Sequence, residues 1–442
     1  MSRSGNAGGR STPPLRKVGV TVTSIRGRTL LAAAACAAIV VAYLALWLGV
    51  GAFQIGRSDF TSTYVGATLL REGHGASMYD ETLQAPLHAS LIAPDREGNL
   101  PFVNPPLAAA LALPVSLLSL QGAYRLWSIL QLALLLISVV VAIRGSPGWR
   151  ALPRLTLVAI GLVALACLGT WATVLLGQWD GVSALGLAVA YWSLRRGRPA
   201  TAGAVLAVSS LIAKPHLALG LAAFVLGWRD RRLIGGAVAG AVAAVALSLL
   251  VAGPGGVGGF VGAAVHSTTR WQLANMVSLV GIGGAIAGNG TAAHLLAGVA
   301  ELAAIAAAAV LGSMVRGRPT RLEAALAGAA VLSLLASPHA YWDDLALLVP
   351  VAAWSLTALA ARRAGSGSLM TAVIAIWVAI SLAAYLDIAT GAAVPLGLLT
   401  PWALTAAAAL AFAVCRRQQA GAVHPTSPQR LRDVRAMSGS GG

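Results

Sequence analysis

Repeated apolar runs constrain this chain more than any other feature. Each is close to the ~20 residues that an α-helix needs to cross a bilayer. They include Thr29 to Phe53, Gln121 to Ile143, 233–253, 292–315, 369–388 and 396–415. The alternating ~10-residue segments of an outer-membrane barrel are absent. With 57% hydrophobic and 10% charged residues over 442 positions, the chain carries too little charge to cover a soluble surface of that size. The sequence therefore predicts an all-α, polytopic membrane bundle of about ten full spans plus re-entrant or half helices.

The net charge of +17 does not point to nucleic acid, because the arginines fall in short clusters between apolar runs. Examples are Arg144/Arg150/Arg154, Arg195/Arg196/Arg198, Arg316/Arg318/Arg321 and Arg362/Arg363. Placing each cluster on the cytoplasmic side puts both termini there and predicts a multi-pass cell-membrane protein. Residues 1–28 and 416–442, basic and rich in Ser, Gly and Arg, are expected to be disordered cytoplasmic tails flanking a transmembrane domain at 29–415. Thr29 to Phe53 is expected to be an uncleaved anchor. Within the domain, 54–120 is expected to form an outer loop and surface helices, with 105–120 re-entrant or surface-lying because Pro114 interrupts it. Cys36, Cys167 and Cys415 are scattered and form no metal or redox motif.

The segment from Phe53 to Pro106 breaks the apolar pattern, holding Asp59, Glu72, Asp80, Glu81, Asp95 and Glu97, six of the 14 acidic residues. Asp59 follows the first span by a few residues, so it belongs at the membrane surface. It reads either as the cap of a short helix starting at Thr61 or as a catalytic carboxylate. Asp80 and Glu81 read as a solvated loop face.

The same topology brings other unusual polar residues to the outer side. These are His74, Gln178 and Asp180, the Lys214–His216 apex between two short apolar halves, and His266, Arg270 and Asn275. His339, Tyr341, Asp343 and Asp344 complete the set. Ionisable groups in or beside a membrane are costly, and several converging on one face indicate a site. Lys214, one of only two lysines in an arginine-rich chain, reads as a snorkelling helix end or as a cation facing an anionic group such as a lipid phosphate. His339 to Asp344 reads as an aromatic belt with an Asp cap or as part of the site. Gln178, Trp179 and Asp180 could equally be a plain helix end. A glycine-rich outer loop is expected from 254 to Asn275. No phosphate-loop or dinucleotide pattern occurs in a strand–helix setting, and the acids lack the spacing of nucleotide-sugar metal sites, so no cofactor and no metal cage are expected.

Several fragments are similar to the polyprenyl-phosphate-mannose-dependent mannosyltransferases of glycosyltransferase family 87. They are Ser58-Asp59-Phe60, Phe102-Val103-Asn104-Pro105-Pro106-Leu107 and Leu176-Gly177-Gln178-Trp179-Asp180. Lys214-Pro215-His216, Asn275-Met276-Val277-Ser278-Leu279 and Ser337-Pro338-His339-Ala340-Tyr341 follow in the same order. The family often has Asn where Asp180 stands and an extra Gln near Met276. The resemblance implies a membrane type C fold and a polyprenyl-phosphate sugar donor. It also implies a glycolipid or glycan acceptor, and a site facing the periplasmic or extracellular side. It implies Asp59 as general base and His339 as a catalytic residue that orients donor or acceptor. Lys214, His216 and Arg270 would face the donor phosphate, while Gln178, Asp180, Asn275, Tyr341 and Asp343 would contact substrate. A single base without a covalent nucleophile would give inversion. An arabinofuranosyl donor, or a transporter or lipid flippase, are the competing readings.

Overall fold

The computed structural model of the protein describes residues 20–94, 100–270, 273–362, 367–390 and 397–420. Among these residues no strand occurs. The chain opens with α1 (Val20–Leu48), followed by α2 (Ala52–Gly56), α3 (Asp59–Arg71) and α4 (Glu81–Ile92) in the polar segment. Next come α5 (Pro106–Ala112), α6 (Leu120–Gly145), α7 (Arg154–Leu165), α8 (Leu168–Leu176) and α9 (Asp180–Arg195). The central elements are α10 (Pro199–Ile212), α11 (Leu219–Trp228), α12 (Arg231–Arg270), α13 (Leu279–Ala287) and α14 (Thr291–Val315). The chain closes with α15 (Leu322–Leu335), α16 (Val349–Ala360), α17 (Gly367–Thr390) and α18 (Thr400–Ala420).

Among the described residues six helices are long and apolar enough to cross a membrane, or seven if α7 and α8, bent by 60°, form one span. This count, made on length and composition, leaves the expectation of about ten spans unconfirmed, because several apolar helices are short. Helices α9, α10, α11 and α15 have 16, 14, 10 and 14 residues. Fourteen residues rise about 21 Å, short of the ~30 Å hydrocarbon core. The short apolar elements pack largely inside the protein, and α15 is buried along nearly all of its length.

The glycine-rich stretch after 253 is helical, not a loop. Gly253 adopts φ 64°, a left-handed conformation that a side chain disfavours, and Pro254 opens the continuation of α12. Glycine count alone misleads here, because glycines let membrane helices pack closely. The break expected at Lys214 is present: α10 ends at Ile212 and a 3-10 turn, Pro215–Ala218, leads into α11.

Two packed regions position the site. The larger core joins α6, α8, α9, α11, α15 and α16. In the second, the polar segment folds back onto the bundle through Phe60, Phe102, Tyr124, Trp127 and Trp179. Phe60 is fully buried, with ring centroids 6.0 Å from both Tyr124 and Trp127. Aromatic side chains bury ~150–250 Å² each, so this cluster fixes the start of α3. Its hydroxyls are satisfied locally: Thr61 Oγ1 donates to Ile55 O at 2.8 Å and Ser62 Oγ to Asp59 O at 2.8 Å.

At the other end of the bundle, Arg195 at the end of α9 donates from Nε to Glu323 Oε1 at 2.7 Å, at the start of α15. Tyr191 Oη donates to the same oxygen at 2.9 Å. The arginine-bearing ends of these antiparallel helices therefore coincide. It follows that the start of α9 and the stretch after α15 share the opposite end, where Asp180 and His339 stand.

Candidate active site

Asp59 is the first residue of α3, with Ser58 rather than Asp59 at the N-cap. Its carboxylate does not serve the helix start. Oδ2 instead accepts a hydrogen bond from Gln178 Nε2 at 2.6 Å, 119 residues along the chain. Gln178 reaches it because Gly177 ends α8 in the left-handed conformation, φ 67°. A side chain at 177 would meet Phe60 Cβ at 2.6 Å, so the turn also requires close backbone approach. Trp127 Nε1 donates to Gly177 O at 2.9 Å, and Trp179 Nε1 to Thr63 Oγ1 at 3.2 Å, which locks the turn against α3. Burial raises the Asp59 carboxyl to about 6, with Asp343 and Asp344 acting in the same direction and Gln178 and Lys214 opposing them. Asp59 nevertheless keeps some exposure.

Beside it lies a carboxylate cage. Lys214 Nζ is 2.7 Å from Asp344 Oδ1 and 3.1 Å from Asp180, and it also donates to Asp343 Oδ2. All four residues are buried. Lys214 was expected to face a phosphate; instead it meets three carboxylates, and an ammonium has three donors. Asp344 Oδ2 accepts from Tyr341 N at 2.8 Å, which fixes the turn carrying His339. Thr173 Oγ1, on α8, lies 3.4 Å from Asp180 Oδ2. Carboxylate oxygens of Asp180, Asp343 and Asp344 lie within 4.8 Å of one another, a spacing that suits a hard cation, and the Lys214 ammonium sits among them.

His216, His339 and Tyr341 form the adjoining wall. The His216 and His339 rings are 6.0 Å apart at a right angle, and the His339 and Tyr341 rings 5.0 Å apart. His216 Nε2 is buried with no hydrogen-bond partner among the described residues. Burial lowers the pKa of the His339 imidazole, with Asp344 opposing that shift. Val277 N donates to Ala340 O at 2.9 Å, which brings the Asn275 segment alongside His339.

A family model for glycosyltransferase family 87 matches residues 102–338, more than half of the chain. The protein belongs to glycosyltransferase family 87. No curated protein and no solved structure gives a match. The family 87 match contains Gln178, Asp180, Lys214, His216, Arg270 and Asn275, whereas Asp59, His339, Tyr341 and Asp343 lie outside it. Membership makes the chain a membrane-embedded transferase of sugars.

Within this family 87 protein the structure brings together Asp59, Gln178, Asp180, Lys214, His216, His339, Tyr341 and Asp343. The Arg270 side chain, Trp271, Asp95 and Glu97 lie outside the described residues. His74 is exposed, and Asp80 caps α4, accepting from Thr82 N at 2.8 Å. The cage itself escaped the sequence reading. Its one signal is Lys214, one of only two lysines in an arginine-rich chain, on the side where the topology also places Asp180 and the Asp343–Asp344 pair.

Proposed function

We propose that the protein transfers a mannosyl residue from a polyprenyl-phosphate donor to a glycolipid or glycan acceptor at the non-cytoplasmic membrane face. The observation that carries this reading is Asp59, a partly exposed carboxylate with a raised pKa, held by Gln178 at the rim of a buried charged cluster. Such a group suits general-base work near neutral pH. Asp59 takes the proton of the acceptor hydroxyl as its oxygen bonds to the anomeric carbon. The carbon–oxygen bond to phosphate breaks, its electron pair leaves with the phosphate, and the sugar inverts. The leaving group is already a good one, so no general acid is required.

His216, whose buried Nε2 has no hydrogen-bond partner among the described residues, supplies a donor for the phosphate, and His339 orients donor or acceptor. The Lys214 cage is assigned to positioning: it pins Asp344 and thereby the backbone of Tyr341 beside His339. The arginine-bearing helix ends lie opposite this site, which supports a site facing away from the cytoplasm.

The test compares transfer of labelled mannose from polyprenyl-phosphate mannose in membranes carrying wild type or Asp59→Ala at matched expression. Transfer by wild type and a loss of about 10²-fold or more in the variant are expected. Transfer that survives in the variant removes Asp59 as base. Transfer only from an arabinosyl lipid replaces the sugar, and none from either lipid overturns the donor class.

A further inference from the structure

Away from the candidate active site, two adjoining cavities of about 130 and 490 Å³ lie between α15, α16, α17 and α18. Arg362, Leu369 and Gln418 border both. The deeper part is walled by Val331, Val373 and Ile380, whereas the mouth carries Arg362 and Arg417, both exposed. The side-chain oxygen of Gln418 is buried there with no hydrogen-bond partner among the described residues. A buried amide oxygen beside an apolar slot is suited to accept a hydrogen bond from a polar group entering that slot.

The dimensions select the occupant. Along α18 the lining runs from Ala407 to Gln418, about 16 Å at ~1.5 Å per residue, close to half of the ~30 Å hydrocarbon core. One leaflet's worth of apolar groove therefore ends at two arginines. Glu323, also on the lining, is engaged at its Oε1 by Arg195 and Tyr191. This is the arginine-bearing end of the bundle, opposite the Lys214 cage. A belt of membrane-flanking arginines would need no cavity; here the two cations share one with the Gln418 side-chain oxygen, which has no hydrogen-bond partner among the described residues.

We propose that this groove binds one anionic phospholipid of the arginine-side leaflet, its phosphodiester between Arg362 and Arg417 and an acyl chain against Val331, Val373 and Ile380. Gln418 meets the headgroup or ester region. Bound there, the lipid ties α17 and α18 to α15 and α16. The inference is independent of which sugar or donor the active site uses.

The full chain, purified in detergent and stripped of lipid, tests this by native mass spectrometry with phosphatidylglycerol or phosphatidylcholine added in separate samples. Wild type should retain one phosphatidylglycerol in preference to phosphatidylcholine by about tenfold or more. The double variant Arg362→Gln/Arg417→Gln should lose that preference. Ala327→Phe, which fills the groove, should lose retention of both lipids. Equal retention of the two lipids by wild type, or an unchanged preference in the double variant, overturns the proposal. So does inorganic phosphate that raises the thermal midpoint as far as phosphatidylglycerol does, since that marks a phosphate site without a lipid chain. Should Ala327→Phe fail to fold, the double variant decides alone.

Discussion

Gln178 Nε2 stands 2.6 Å from Asp59 Oδ2, joining the turn between α8 and α9 to the start of α3. That contact favours the ionised carboxylate. With Asp59 held up at about 6, the base is protonated and idle below that pH, so kcat/KM should rise through an acid limb near 6. Gln178→Ala removes a stabiliser of the charged form, so the limb should move to higher pH. The pH–rate profile checks this: several-fold loss is expected at pH 6 and far less at pH 8. An unshifted limb would show that Asp59 is not the titrating base.

Lys214 should matter first for stability. Lys214→Met keeps most of the volume but leaves Asp180, Asp343 and Asp344 buried without their cation. Removing one partner of a buried ion pair costs about 3–5 kcal/mol. A large drop in the thermal midpoint of the detergent-purified protein is expected. Lys214→Ala opens space among three hard oxygen ligands, and millimolar Mn²⁺ should recover part of its midpoint while leaving wild type unmoved.

Gly177→Ala tests the turn. An alanine there meets both φ 67° and the Phe60 Cβ at 2.6 Å. A loss of about 1–3 kcal/mol is expected in unfolding experiments. Activity should fall further than folded protein does, because the turn aims Gln178 at Asp59.

His216→Ala separates phosphate binding from the base. A hydrogen bond to a charged group contributes about 1.5–3 kcal/mol, so KM for the lipid donor should rise roughly tenfold to a hundredfold. The position of the acid limb should not change. A fall in kcat alone would assign His216 to another step.

Local signals in the sequence exposed most of the site's members. Asp59 after a span, Lys214 before a proline and His339 in a Ser-Pro break are each visible within a few residues. What pairs with what is not local. Lys214 meets Asp180 and Asp343 across 34 and 129 residues, and nothing in either neighbourhood encodes that choice. The expected phosphate-facing lysine therefore became a lysine among carboxylates. The span count suffered from the same limit. A 14-residue apolar stretch such as α15 is too short by length to be counted as a full span, although it runs from the arginine-bearing end of the bundle to the site. The helix after Gly253 went unread because glycine marks loops in soluble chains but also close helix contacts in membranes.

The Lys214 cage draws on α9, the break after α10 and the turn before α16, so its last members emerge only when about three quarters of the chain has been made. Until Asp343 and Asp344 arrive, the nascent bundle holds Lys214 with Asp180 alone. The cage thus closes late in biogenesis, and a polypeptide that stops short of it holds a one-to-one ion pair whose ammonium lacks two of its three carboxylate acceptors.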